Sequence, residues 1–211
     1  SRLPLATAIS VRNAVAAIAN KGTATQGVLE QRVMDACLWA YWRHTTPSAR
    51  GRGLGDPVNA SNFARRKLGD VEFQDTAKLQ TAVYEIHGGT LTAPYLESHE
   101  QSLRRGLPRR LEEEWNNIAD ATEWRVAVTY VSHSHSGISL PATANIDGVR
   151  VDTRHETFRD VVEKVLSAVP EGLLVRGFQV FVHDVLNGPN GSEQQRQAYA
   201  AIAGVRLEAK P

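Results

Sequence analysis

Apolar and polar positions recur with two different periods along the chain, and each change of period marks an element. Val11, Val15 and Ile18 stand at helical spacing and predict an N-terminal helix over 8–20, ended by Asn20 and Gly22. A second stripe of Val28, Leu29, Val33, Cys37, Ala40 and Tyr41 predicts a helix from Gln26 to Arg43, with Thr25 as its N-cap. Residues 47–60 are Gly/Pro-rich and predict a loop carrying Arg50 and Arg52. The period then falls to two. Val71 and Phe73 face one way, while Asp70, Glu72 and Gln74 face the other. Ala82, Tyr84 and Ile86 likewise oppose Val83, Glu85 and His87. Residues 69–89 therefore read as a β-hairpin with an acidic face backed by an apolar one.

Helical spacing resumes from Pro94 or Tyr95 to Ala119, with a kink or split expected at Gly106-Leu107-Pro108. Trp124 to Ser132 is β-rich and predicts a strand. Residues 132–148 read as a loop, 155–169 as a helix, and Phe178 to Leu186 as another strand. A final helix over 192–204 opens with Ser192 as N-cap and a capping box to Gln195. A hairpin followed by strand–helix–strand alternation predicts an α/β fold: a mixed central sheet flanked by helices.

Composition narrows the classes. A chain of 211 residues that is 42% hydrophobic suits one domain, with a core over 26–185 and the terminal helices packed on it. A net charge of +1 means that any nucleic-acid surface is local. The single cysteine, Cys37, excludes an internal disulfide and Cys-rich zinc modules, and its apolar setting marks it as an inert thiol. No run approaches the ~18 apolar residues of a membrane span, and no signal peptide is visible, so a cytoplasmic location is expected. The first residue is Ser1 and the only methionine is Met34, so a segment upstream of Ser1 is also expected.

The candidate chemistry is acidic. His133 and His135 share a strand face but have neither cysteines nor a His-Glu-x-x-His helix beside them, so they read as a non-catalytic loop pair. No Gly-x-Ser-x-Gly elbow supports a serine hydrolase. Asp70 and Glu85 come close if the hairpin pairs, and they form a possible divalent-metal site. Arg65-Arg66-Lys67, just before the hairpin, reads as a solvated cationic surface suited to phosphates.

Gly69-Asp70 followed by Glu85-Ile86-His87, with Glu30 on the preceding helix, resembles the PD-(D/E)XK, or restriction-endonuclease-like, nuclease superfamily over roughly residues 26–131. The departure is His87, where the family usually has lysine. Imidazole could act as a neutral base or as imidazolium, or the change could mark a relative that no longer cuts. The resemblance implies a restriction-endonuclease-like core and Mg²⁺ (or Mn²⁺) held by Asp70, Glu85 and the Ile86 carbonyl. It further implies Glu30 completing the shell, His87 contacting the attacking water, and Arg50, Arg52, Arg65, Arg66 and Lys67 on the backbone of double-stranded DNA. Base contacts would come from residues 132–154. The implied activity is endonucleolytic cleavage in a restriction or defence role, with a homodimer for double-strand breaks. The alternatives are an inactive nuclease-like DNA-binding or assembly module, and a purely structural α/β domain.

Overall fold

The computed structural model describes residues 1–58, 61–62 and 64–209. It is an α/β fold with a mixed central sheet flanked by helices. Its elements are α1 (Ala8–Asn20), α2 (Val28–Thr45), β1 (Arg50–Arg52), β2 (Val71–Asp75), β3 (Gln80–Ile86), β4 (Thr90–Thr92), α3 (Ala93–Glu113), β5 (Arg125–Ser132), β6 (Ser134–Ser136), β7 (Ala142–Ile146), β8 (Val149–Thr157), α4 (Phe158–Ala168), α5 (Glu171–Phe178), α6 (Asp184–Asn187) and α7 (Glu193–Ala203). The six-stranded sheet has the order β1-β2-β3-β5-β8-β7. The β1–β2, β2–β3 and β7–β8 pairs are antiparallel, whereas β3–β5 and β5–β8 are parallel. α3 supplies the crossover from β3 to β5, which a parallel pair requires. Beside the main sheet, β4 and β6 form a short parallel pair.

Two apolar clusters occupy the two faces of the sheet. On one face Val71, Phe73, Tyr84, Ile86 and Val131 pack with α1, α2, α4, α5 and α7. On the other, Val83, Val126, Val128 and Tyr130 pack with Leu103, Leu107 and Leu111 of α3 and with the stacked Trp115–Trp124 pair. The hairpin register sets Val71 opposite Tyr84 and Glu72 opposite Val83. Period-2 alternation therefore separates the two sets of side chains as the sequence expects. The polar face is not open, however. α3 lies over it, and Glu72 is only 1% exposed, held by Arg110 at 2.6 Å and by the Leu68 N–H at 2.8 Å.

Several expectations are corrected. Residues 178–186 are helical, running from α5 through a wide π-type turn into α6. Leu174, Phe178, Val182 and Leu186 are all buried, and their spacing of four outweighs the β-rich composition. The last core strand is instead β8, paired with β7 inside the stretch expected to be a loop. Ile146 opposes Val149 across Asp147-Gly148, whose φ angles of 50° and 87° make a two-residue hairpin turn. The helix expected from His155 begins at Phe158, because β8 runs on to Thr157, which caps it. α3 is one continuous helix through Pro108 and ends at Glu113 rather than Ala119. α2 is capped by Gly27, not Thr25, although the Thr25 hydroxyl accepts from the Leu29 N–H at 3.1 Å. Arg50–Arg52 forms an edge strand within the loop expected over 47–60. The Ser192–Gln195 capping box is present as expected. Among the described residues, no helix is long and apolar enough to cross a membrane.

Candidate active site

Asp70 immediately precedes β2, and its N–H donates to the Tyr84 carbonyl at 3.0 Å, which extends the hairpin by one residue. Its Oδ2 accepts from the Ile86 N–H at 2.8 Å, across the end of β3. Glu85 points to the α3 side of the sheet, where three donors meet it. Asn62 Nδ2 lies 3.0 Å from Oε1, Tyr95 Oη 2.9 Å from Oε2, and His99 Nε2 3.1 Å from Oε1. His99 is buried between the Tyr130 hydroxyl at 2.8 Å and the Leu68 carbonyl at 2.9 Å. Gly69 leaves room for this arrangement, since a Cβ there would lie 2.4 Å from the Val83 side chain and 3.3 Å from Glu85 Oε1.

The two acids have opposite electrostatic fates. Burial raises the Asp70 pKa and the neighbouring Glu85 charge raises it further, to about 8, against the Ile86 hydrogen bond and Lys67. Burial also pushes Glu85 upward, but the His99 charge and the hydrogen bonds from His99, Tyr95 and Asn62 outweigh it, so the net direction is down. His99 moves the other way: burial lowers it and the Glu85 charge more than restores it, so its pKa is raised. A neutral Asp70 beside an ionised Glu85 is the arrangement expected of two close carboxylates that lack enough countercharge.

Glu30 is fully buried at the N-terminus of α2, and its carboxylate receives the Thr23 N–H at 2.5 Å and the Thr23 hydroxyl at 2.9 Å. It lies against Gly88, where a Cβ would come within 3.7 Å of Glu30 Cδ. The α2 carboxylate that acts electrostatically on Asp70 is Asp35, which the sequence reading missed. Asp35 is buried beside Arg32 at 3.2 Å, accepts from the Gly55 N–H, and is raised to about 7 by its burial. His87 is partly exposed, with its ring 4.3 Å from that of Tyr95.

The basic residues divide. Lys67 is withdrawn from the surface: its side chain is 2% exposed, and its ammonium donates to the Asp70 carbonyl at 3.0 Å and pairs with Asp56 at 3.1 Å. Arg52 pairs with Glu72 at 3.6 Å and Glu114 at 3.3 Å, and Arg66 pairs with Glu113 at 3.4 Å. Arg50 and Arg65 are exposed and make no ion pair among the described residues. Of the five cations expected to contact DNA, only Lys67 is buried, Arg52 and Arg66 are ion-paired at the surface, and Arg50 and Arg65 have no ion pair among the described residues. Glu114 and Glu113, at the C-terminal end of α3, pair with Arg52 and Arg66, and the partly exposed Asp56 pairs with Lys67. Asn62, Tyr95, His99, Asp35 and Asp56 were not singled out in the sequence, where only their spacing after a strand or on a helix face could have shown them.

Among the described residues, no group of three or more His, Cys, Asp or Glu side chains is clustered to hold a metal ion. The acid pair offers carboxylate oxygens, of which Mg²⁺ and Mn²⁺ take one or two while retaining several waters, and both Glu85 oxygens already accept from Asn62, Tyr95 and His99. No family model matches the chain, and no curated protein matches its sequence.

Proposed function

We propose that this protein is a metal-dependent DNA endonuclease with a restriction-endonuclease-like core, acting in restriction or defence. The carrying observation is Asp70, at the entry to β2, with its carboxylate bonded to the Ile86 N–H and electrostatically coupled to Glu85. The order of elements agrees with the resemblance: α2, three antiparallel strands, then α3 crossing to the parallel β5. Asp70, Glu85 and the Ile86 carbonyl would hold Mg²⁺ or Mn²⁺, which when bound supplies Lewis-acid polarisation of the phosphate and a more acidic water. His87 contacts the attacking water, and Tyr95 beside it limits the imidazole's freedom. Arg50 and Arg65 offer exposed guanidinium groups to the phosphates of double-stranded DNA. The exposed face of β7 and the loop before it provide residues for base contacts, and a second copy would supply the second cut.

The test is cleavage of supercoiled plasmid in Mg²⁺, by the intact protein and by Asp70→Ala and Glu85→Ala. Cleavage abolished by either substitution supports the reading, whereas cleavage that survives both refutes it. One observation favours a second reading, an inactive DNA-binding module: both Glu85 oxygens already have protein donors. DNA binding without cleavage, unchanged by the same substitutions, would decide for that reading.

A further inference from the structure

A continuous run of polar contacts leads from α2 to the acid pair. Arg32 Nη2 donates to the Asp56 carbonyl and the Gly55 N–H donates to Asp35 Oδ2 at 3.2 Å, which fixes the turn after β1 onto the helix. The Asp56 carboxylate extends from that turn to Lys67 Nζ at 3.1 Å. Lys67 in turn donates to the Asp70 carbonyl at 3.0 Å. Gly53 lies directly over this last contact at φ +91°. A Cβ there would fall 2.3 Å from the Asp70 carbonyl oxygen and 2.9 Å from Lys67 Cδ. The turn thus touches the backbone of Asp70 by close approach and reaches it again through an ion pair.

We propose that Asp56 and Lys67 are positioning residues: together with the close approach of Gly53, they hold Asp70 in register with Glu85. Neither side chain is assigned contact with the reacting phosphate; they act through Asp70. The physical case rests on confinement. An ammonium 2% exposed must be paired, and its partners here are one carboxylate and the backbone of one site residue. Removing Asp56 leaves Lys67 buried with a single acceptor, so the ammonium moves toward water and releases the Asp70 carbonyl. A misplacement of about 1 Å at a reacting group lowers turnover by roughly 100-fold, and loss of a partner behind a metal ligand lowers affinity or activity by about 10–100-fold.

This inference rests on the nuclease reading, and the experiment separates the two. Plasmid cleavage in Mg²⁺ and Mn²⁺ binding by calorimetry without DNA are measured for the intact protein and for Asp56→Asn, Lys67→Met, Lys67→Arg, Gly53→Ala and the control Glu171→Gln on the surface of α5, with thermal melts for each. We expect Asp56→Asn, Lys67→Met and Gly53→Ala to lower kcat by at least about 10-fold with KM nearly unchanged, and to weaken Mn²⁺ binding. Lys67→Arg should recover part of both losses, and Glu171→Gln should behave as the intact protein. Gly53→Ala carries the decision, because it alters no charge. If it and Asp56→Asn match the intact protein in turnover and in Mn²⁺ affinity, the inference is overturned while the nuclease reading stands. Losses in proportion to a fall in melting temperature also overturn it, because they show a general structural role. An intact protein that neither cuts nor binds Mn²⁺ removes both.

Discussion

Replacing Asp70 with asparagine should stabilise the protein, increasingly so as pH rises. Asparagine keeps the side-chain oxygen that accepts from the Ile86 N–H and cannot acquire a charge beside Glu85. In the folded protein Asp70 titrates near 8, against an ordinary value of 3.8 when the chain is unfolded. Between those values the native state holds a proton that the unfolded state has released. Stability therefore falls as pH rises through this window and levels off above the folded value. A tenfold difference in proton affinity is worth about 1.4 kcal/mol, so the full displacement corresponds to roughly 6 kcal/mol. Relaxation of the surroundings and entry of water around a newly formed charge leave on the order of 1–3 kcal/mol. The assay is urea unfolding of the intact protein and Asp70→Asn at pH 4.5, 6, 7 and 8.5 in the presence of a chelator. The two should be nearly equal at pH 4.5, and the variant should be more stable by about 1–3 kcal/mol at pH 8.5. A difference that does not change with pH, or a variant less stable at pH 8.5, would refute the reasoning. A gain in stability from losing a carboxylate is also the mark of a group kept for function rather than folding.

The Glu72–Arg110 pair behaves in the opposite sense. Arg110→Met leaves Glu72 buried with the Leu68 N–H and a more distant Arg52, and should cost about 3 kcal/mol in urea unfolding. The double variant Glu72→Leu, Arg110→Met should lose clearly less than the sum of the single losses; strict additivity would show that the pair is uncoupled. Ser192→Ala removes an N-cap and should lower stability by about 1 kcal/mol, read from the same transitions, with no change in DNA cleavage. His87→Lys should retain or improve cleavage relative to His87→Ala, measured on supercoiled plasmid. Greater loss in the lysine variant would place His87 outside the chemistry. A chelator should abolish cleavage by the intact protein, and excess Mg²⁺ should restore it, whereas cleavage that continues in chelator would exclude a metal requirement.

The parts of the fold visible in the sequence were those where local pattern and tertiary environment agree. Val71 and Phe73 against Glu72 and Gln74 reported the pleat correctly, and Ser192 with Gln195 reported the cap, because both signals are complete within a few residues. The error at 178–186 has the reverse origin. Its Val and Phe content favours a strand, yet Leu174, Phe178, Val182 and Leu186 bury only as a helix, and Leu174 precedes the β-rich run. β7 and β8 were hidden because their exposed positions carry Thr, Asn and Arg, although Asp147-Gly148 was a legible turn signal. At the site, Asp70 and Glu85 were legible from alternation. Asp35, Asp56, Lys67, Tyr95 and His99 reach them across gaps that no local period reports. Lys67 shows the limit most clearly. In the sequence it is the third of three cations, and only folding separates it from the exposed Arg65 and Arg66.

The two faces of the sheet carry separate apolar clusters, and elements from both sides act on the acid pair. Asp35 belongs to a helix on one face, whereas Tyr95 and His99 belong to the helix on the other, and Tyr130 of β5 secures His99. The chain must be made through residue 130, and both layers must dock, before these groups stand together. The hairpin alone sets Asp70 beside Glu85, but the groups that surround them come together only when both helical layers and β5 are docked on it.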